Sequence, residues 1–431
     1  MKNIISVLLI SLLCFGNASA QTILQALKEA YNGNAELNAE RENLIVSEQD
    51  LKIIRSEYLP SATIITSKSQ EDTNKLTNQS GGDASINDVD PLSTSIKLEQ
   101  TLIDFGRGAD YQKKKIGIDL ARTKLLNKEQ DILYKAIDAY SSLVAAKEKE
   151  EINRKNVELK ISQLETDRIR LERGEVKLSD VAQSESSLAG AEAQFIQSQN
   201  EVVTSKLNYE NVIGRIDVNT LIKSIQAIVN IPTSLENAIE LSKTNNHDVK
   251  IAELELEQAE KDILIAKSDL APTASLSLER SYTEDLSTTY DEREKDVLKA
   301  TVSWPFYSGG KKFAKIDKNQ SIKVRQRLLL DNAIKNNLTE VTSAWSNLQS
   351  SESFLNSVKA QVKAAEIANE GITAEYLSGA GSRSTLDVIQ SNSLLLNAQI
   401  SLANAERNYL LAQYNILKSI GLLTSSYLNL K

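Results

Sequence analysis

Residues 180–186 read Asp180-Val181-Ala182-Gln183-Ser184-Glu185-Ser186, and residues 387–393 read Asp387-Val388-Ile389-Gln390-Ser391-Asn392-Ser393. The likeness continues at unchanged spacing to Ile213-Gly214 and Ile420-Gly421. Upstream, 26–60 aligns without a gap on 238–272. A repeat of about 200 residues is too long for a solenoid unit. The chain therefore holds a duplicated half-molecule, and what one half builds the other builds too.

The second copy of the quoted stretch opens a regular seam. Val388, Ser391, Leu395, Ala398, Leu402, Ala405, Tyr409, Ala412 and Ile416 step by three and four. Val181, Ser184, Leu188, Ala191, Phe195, Ser198, Val202, Ser205 and Tyr209 do the same in the first copy. Both are heptad seams, and their small residues let neighbouring helices approach closely. One amphipathic helix on a globular core would not repeat the seam in both halves.

Each seam is preceded by a far longer helical run, at about 108–173 and about 311–377, without a proline. At 1.5 Å per residue each is ~100 Å long, against the 10–14 residues of an average globular helix. Such elements demand a coiled-coil or tube architecture. The runs end at glycine turns, Arg173-Gly174-Glu175 and Gly379-Ala380-Gly381, from which a second helix returns.

Nearer the start of each half the period changes from helical to two. One helix is expected over 21–57, closed by Leu59-Pro60. Then Ile96, Leu98 and Leu102 alternate with polar residues, as do Ala274, Leu276 and Leu278, and Leu298, Ala300, Val302 and Trp304. The pattern predicts strands. The stretch 61–68 is the weakest of the four. Polar loops are expected at 71–91 and 283–296. Strands of about ten residues suit an outer-membrane barrel. An ordinary soluble hairpin with one wet face stays equally open from the pattern alone. Glycine punctuation follows the strands at Gly106, and at Gly309 and Gly310 after Pro305.

Lys2, an apolar run over 4–15 and Ala18-Ser19-Ala20 read as a secretory signal peptide over 1–20. Cys14 falls inside that run, so the chain from Gln21 onward has no cysteine. With one histidine, His247, no His/Cys metal cluster is expected, and neither is any cofactor. No nucleophile motif or phosphate loop points to an enzyme. Net charge is −8, which argues against nucleic acid as a partner. The expected organisation is a first repeat over 21–214, a linker or equatorial segment over 215–232, and a second repeat over 233–431.

The fold class is mostly α with a small β part. Four strands cannot close a barrel. Their edges must pair with other chains. Three chains would supply twelve strands and set the helical hairpins in a ring: a β-barrel continued by an α-barrel.

The chain resembles the TolC-type outer-membrane efflux and secretion channels. The resemblance is carried by Tyr58-Leu59-Pro60, by Gln100-Thr101-Leu102-Ile103-Asp104-Phe105-Gly106 with Trp304-Pro305-Phe306-Tyr307-Ser308-Gly309-Gly310, by Gly381-Ser382-Arg383-Ser384-Thr385-Leu386-Asp387-Val388, and by 403–421. It implies a homotrimer in the outer membrane, extending into the periplasm. It also implies a periplasmic adaptor, an inner-membrane pump of ABC or RND type, and cargo of drugs or polypeptides. The competing class is a periplasmic coiled-coil structural or adaptor protein, which needs no lipid-facing strands.

The resemblance also proposes site residues. The turns at Gly174 and Gly381 become the periplasmic tip. Asp387 falls where family carboxylates ring the pore entrance, with Gln390 at the place of a second acidic residue. Three copies of one carboxylate around an axis repel one another and attract cations. Arg383 matches the basic member of a closing link, and Ser179 and Asp180 match its partners. A family tyrosine is expected near the tip; Tyr376 lies two residues from the aligned place, which holds Ser378. Asp180 and Asp387 also suit helix N-caps. Gly106, Pro305, Gly309 and Gly310 are assigned to the barrel junction, although Trp304, Phe306 and Tyr307 also suit an interfacial aromatic belt. Arg383 has Val176 at its place in the first repeat, so the two hairpins are expected to differ at the tip.

Overall fold

A computed structural model describes residues 22–72, 80–82, 89–224, 227, 230–287, 290–378 and 383–430. The stretch 1–20 expected to be a signal peptide, Cys14 within it, and Gly381 lie outside the described residues. The elements are α1 (Ile23–Gly33), α2 (Ala35–Ser56), β1 (Ser61–Lys68), β2 (Leu92–Ile103), α3 (Arg107–Glu172) and α4 (Leu178–Val212). The same order then recurs as α5 (Leu235–Asn245), α6 (His247–Ser268), β3 (Thr273–Ser287), β4 (Tyr290–Ser303), α7 (Lys311–Ser378) and α8 (Thr385–Ser419). The two long helices have 66 and 68 residues, and each return helix has 35. No helix among the described residues is long and apolar enough to cross a membrane.

The chain forms two compact units, and each takes segments from both repeats. The first unit holds the chain up to Asn38, Lys128–Asn246 and Leu338–Lys431. The second holds Ala39–Asn127 and His247–Asn337.

The core of the first unit forms where the middle of α3 turns most apolar. Leu133, Ile137, Tyr140 and Leu143 pack with Leu27 of α1, Tyr209 of α4, Leu410, Tyr414 and Leu417 of α8, and Leu423 and Leu428 beyond it. Burying each such large side chain contributes about 1.5–3 kcal/mol. The segment after α4 is tied to this core by polar contacts. The Tyr140 hydroxyl donates to the Ile222 carbonyl, and the Ala227 N–H donates to Gln413 Oε1 at 2.9 Å. Lys223 pairs with Glu148 at 2.7 Å and with Glu406, which is buried. Removing the cation strands a buried carboxylate. Lys223→Ala is expected to cost about 2 kcal/mol, less than for a fully buried pair because Lys223 is partly exposed. Thermal melting in detergent measures it, with Glu148→Ala, which leaves Glu406 paired, as the milder control.

The expected single helix over 21–57 is two helices, broken at Asn34. The Asn34 Oδ1 accepts from the N–H groups of Glu36 (3.0 Å) and Leu37 (3.2 Å), capping α2, while its Nδ2 donates to the Val212 carbonyl at 3.0 Å. One side chain thus satisfies the start of one helix and the end of another. The second repeat breaks at Asn246, whose Nδ2 donates to the Ser419 carbonyl at 3.1 Å. In each repeat the break is fastened to the last residue of that repeat's return helix.

The sheet lies in the second unit, antiparallel in the order β1-β2-β3-β4. The described residues of the loop expected over 283–296 are instead strand, in β3 up to Ser287 and in β4 from Tyr290. Thr283 pairs with Arg293, and Ser287 with Tyr290. Apolar alternation is silent there because both faces are polar, but the backbone ladder continues regardless. Arg280 supports it from the side chains, 3.4 Å from Glu294 across the ladder.

Candidate functional site

In the first unit α3 ends in a Schellman motif. Gly174 (φ +74°) donates to the Leu171 carbonyl and Glu175 to the Arg170 carbonyl, both at 2.9 Å. Two turns before Gly174 lies Asp167, fully buried. Its carboxylate accepts from Ser184 Oγ at 2.5 Å, from the Tyr376 hydroxyl at 2.5 Å, and from Gln163 Nε2 at 3.0 and 3.1 Å. The Tyr376 hydroxyl is 2.9 Å from Thr385 Oγ1. With the phenol proton given to Asp167, the threonine is left to donate. Burial, then the hydrogen bond to Asp167, pushes the Tyr376 phenol above its ordinary pKa. The Arg170 guanidinium covers the tyrosine ring at 4.3 Å, and its Nε donates to Glu175 at 3.1 Å. Asp167 and Ser184 belong to the first helical hairpin, Tyr376 and Thr385 to the second, so this cluster bridges the two hairpins of one chain.

The site residues expected from sequence surround this bridge. Asp387 lies at N3 of α8, where Oδ2 accepts from the Ser384 N–H (2.8 Å) and Oγ (2.9 Å), a capping box. These hydrogen bonds hold its carboxyl below the ordinary range. Asp180 Oδ2 accepts from the Lys177 N–H at 2.9 Å at the start of α4, and Ser179 beside it is exposed. Within one chain Arg383 Nε pairs with Glu375 of its own hairpin at 2.7 Å, and both side chains are exposed. A groove of about 550 Å³ lies beside the bridge, lined among others by Gln163 and Thr166 of α3, Asn369 and Thr373 of α7, and Asn392 of α8.

The sequence reading missed Asp167, Ser184 and Thr385 as a cluster and left Tyr376 unassigned. One signal was present. Asn153, Lys160 and Asp167 stand seven apart on α3, and all three are buried.

In the second unit, the proposed junction residues stand between strand ends and helix starts. The Gly106 carbonyl accepts from the Asp110 N–H at 3.0 Å, opening α3, and a Cβ on Gly106 would collide with the Ser268 hydroxyl. Pro305 sits in a tight turn in which the Phe306 N–H reaches the Trp304 carbonyl at 2.8 Å. Gly309 (φ +60°) and Gly310 (φ +81°) then take left-handed conformations just before α7.

A duplicated chain that joins paired strands to very long helical hairpins, with both sheet edges open among the described residues, is the protomer of an outer-membrane channel. It belongs to the outer membrane efflux protein family, whose model matches it twice, over 26–215 and 238–422. The chain is 26% identical over 417 residues to the outer membrane efflux protein BepC of Brucella suis, covering 96% of this chain and 88% of that one. It is 23% identical over 355 residues to the alkaline protease secretion protein AprF of Pseudomonas aeruginosa, covering 80% and 72%. The CmeC outer membrane channel of Campylobacter jejuni shares the fold with a TM-score of 0.81 at 15% identity, over 93% and 86% of the two chains.

Proposed function

We propose that three copies of this chain form the exit duct of a tripartite efflux pump or a type I secretion system. The observation that carries the reading is the open sheet. Among the described residues β1 and β4 each present an unpaired edge, and a membrane tolerates no such edge. Twelve strands from three chains close a barrel. The repeats, 21–214 and 233–431, then give six similar helical hairpins around one axis. The duct does no chemistry. An inner-membrane pump of ABC or RND type drives cargo, drugs or polypeptides, through a periplasmic adaptor into it. The names of the relatives favour neither cargo, since one is an efflux protein and the other a protease secretion protein.

The helical tip is the gate in this reading, with Gly174 and Gly381 at its turns. Arg383 of one protomer exchanges Glu375 for Asp180 and Ser179 of the next, and Asp387 rings the entrance. Detergent extraction should yield heat-stable trimers that conduct in planar bilayers, and Asp180→Ala with Arg383→Ala should raise the single-channel conductance. A water-soluble monomer overturns the channel. A conducting trimer with unchanged conductance in the double variant overturns the gate assignment alone.

A further inference from the structure

We infer that membrane hydrocarbon covers only the helix-proximal part of this sheet, and that the outer half of the β3–β4 hairpin stands beyond it in the polar layer. The inference rests on the barrel reading and adds where the lipid contact stops.

The register sorts the strands into two faces. On one face Ala274 pairs with Val302, Leu276 with Ala300, and Leu278 with Leu298, while Leu98 joins the last pair across Leu278, and Ala62 joins it across Leu98. On the other face Ser275 pairs with Thr301, Ser277 with Lys299 and Glu99, and Glu279 with Lys97. Apart from Gln100, which stands opposite Leu276 on it, the first face suits hydrocarbon, and the second suits a wet lumen. Leu278, Leu298 and Val302 are all exposed in the single chain, with Val302 at 73%.

The apolar face then stops abruptly on β3–β4. The next pairs outward are Arg280 with Asp296, Tyr282 with Glu294, and Glu284 with Glu292. Arg280 stands 3.4 Å from Glu294 and 3.8 Å from Asp296, so these charges pair with one another on the face itself. Five charged side chains on a lipid-facing surface are incompatible with hydrocarbon. On β1–β2 the boundary lies one pair farther out, because Ile64 pairs with Ile96 before Thr66 pairs with Thr94.

At the helix-proximal end Trp304 and Phe306 contact edge to face, 6.1 Å apart, and both are exposed. Aromatic rings in such a place mark the headgroup boundary. From Trp304 to Asp296 the strand climbs roughly 20 Å, at ~3.3 Å per residue and a ~40° tilt. That is shorter than the ~25 Å apolar band of ordinary outer-membrane barrels. The bilayer must therefore thin beside this hairpin.

The only cysteine is Cys14, in the signal-peptide stretch, so single-cysteine variants can be labelled without background. Leu278→Cys, Leu298→Cys, Tyr282→Cys and Glu294→Cys, each carrying a nitroxide, are placed as full-chain trimers in phospholipid vesicles. Collision with oxygen reports hydrocarbon, and collision with a water-soluble nickel chelate reports water. Labels at 278 and 298 should favour oxygen at least threefold over those at 282 and 294. Oxygen-dominated labels at all four positions overturn the boundary while leaving the barrel intact. Nickel-dominated labels at all four overturn the barrel reading itself. Ala300→Cys replaces any apolar-face variant that fails to form heat-stable trimers, with the same expectation as Leu298→Cys.

Discussion

Gly421→Ala is expected to destabilise the protein by about 3 kcal/mol and to lower the yield of trimer. Gly421 closes α8 in a Schellman motif, donating to the Lys418 carbonyl at 2.9 Å, while Leu422 donates to the Leu417 carbonyl at 2.9 Å. Its φ of +83° costs an L-residue about 1–2 kcal/mol. The rest of the effect is steric. An added Cβ would lie 2.5 Å from the Asn245 carbonyl carbon and 3.0 Å from the Asn246 N, and closer still to the Asn245 oxygen. These are backbone atoms of the break between α5 and α6, and Asn246 is already fastened to Ser419. Neither side of the contact can yield without breaking that joint. Gly174→Ala is the control. It has nearly the same conformation, with φ +74°, but nothing lies within 4 Å of its added Cβ. It should cost only the backbone term, about 1–2 kcal/mol. Thermal melting of both variants in detergent decides the matter; equal shifts would show that the close approach at Gly421 carries no weight.

The same joint shows where the sequence was legible. The heptad positions of α4 and α8 are buried or half-buried throughout, because a seam of alternating large and small residues has one way to pack. The long helices also end close to their expected turns. The break at Asn34 was hidden because a single capping side chain barely disturbs helical periodicity. Asn32-Gly33-Asn34 and Asn245-Asn246 were its only local marks. The outer half of the β3–β4 hairpin was hidden for the opposite reason. Its ladder is made by backbone groups, and its side chains are polar on both faces.

The tip was half legible. Asp180 and Asp387 stand three residues into their helices, where carboxylates cap, and both do so. Asp167 could not be read as a partner of Tyr376, because they are far apart in the chain and sit on different hairpins. The repeat itself hid the cluster. By the spacing of the return helices, the places equivalent to Asp167, Tyr376 and Thr385 hold Ala374, Ile169 and Leu178. Ser184 recurs as Ser391, but the other three members of the buried bridge stand at positions that the duplication does not share, and the two hairpins differ at the tip in this respect.

Breaking that bridge should have the largest effect on gating. In Asp167→Ala, Ser184 and Tyr376 lose their shared acceptor in a buried place, and the half-buried Gln163 loses it too. Each unsatisfied donor costs about 1–3 kcal/mol. The variant should loosen the contact between the hairpins and raise single-channel conductance. Tyr376→Phe isolates the hydrogen bonds. It removes the hydroxyl that joins Asp167 to Thr385 while keeping the ring, and so keeps the face against Arg170 at 4.3 Å. It should raise conductance less than Asp167→Ala, since Ser184 and Gln163 keep their acceptor. Because both residues serve one link, the double variant should add little to Asp167→Ala alone. Fully additive effects would mean that the two residues hold separate contacts. Wild-type conductance in both single variants, with trimers intact, would mean that the bridge stabilises the hairpins without closing the channel.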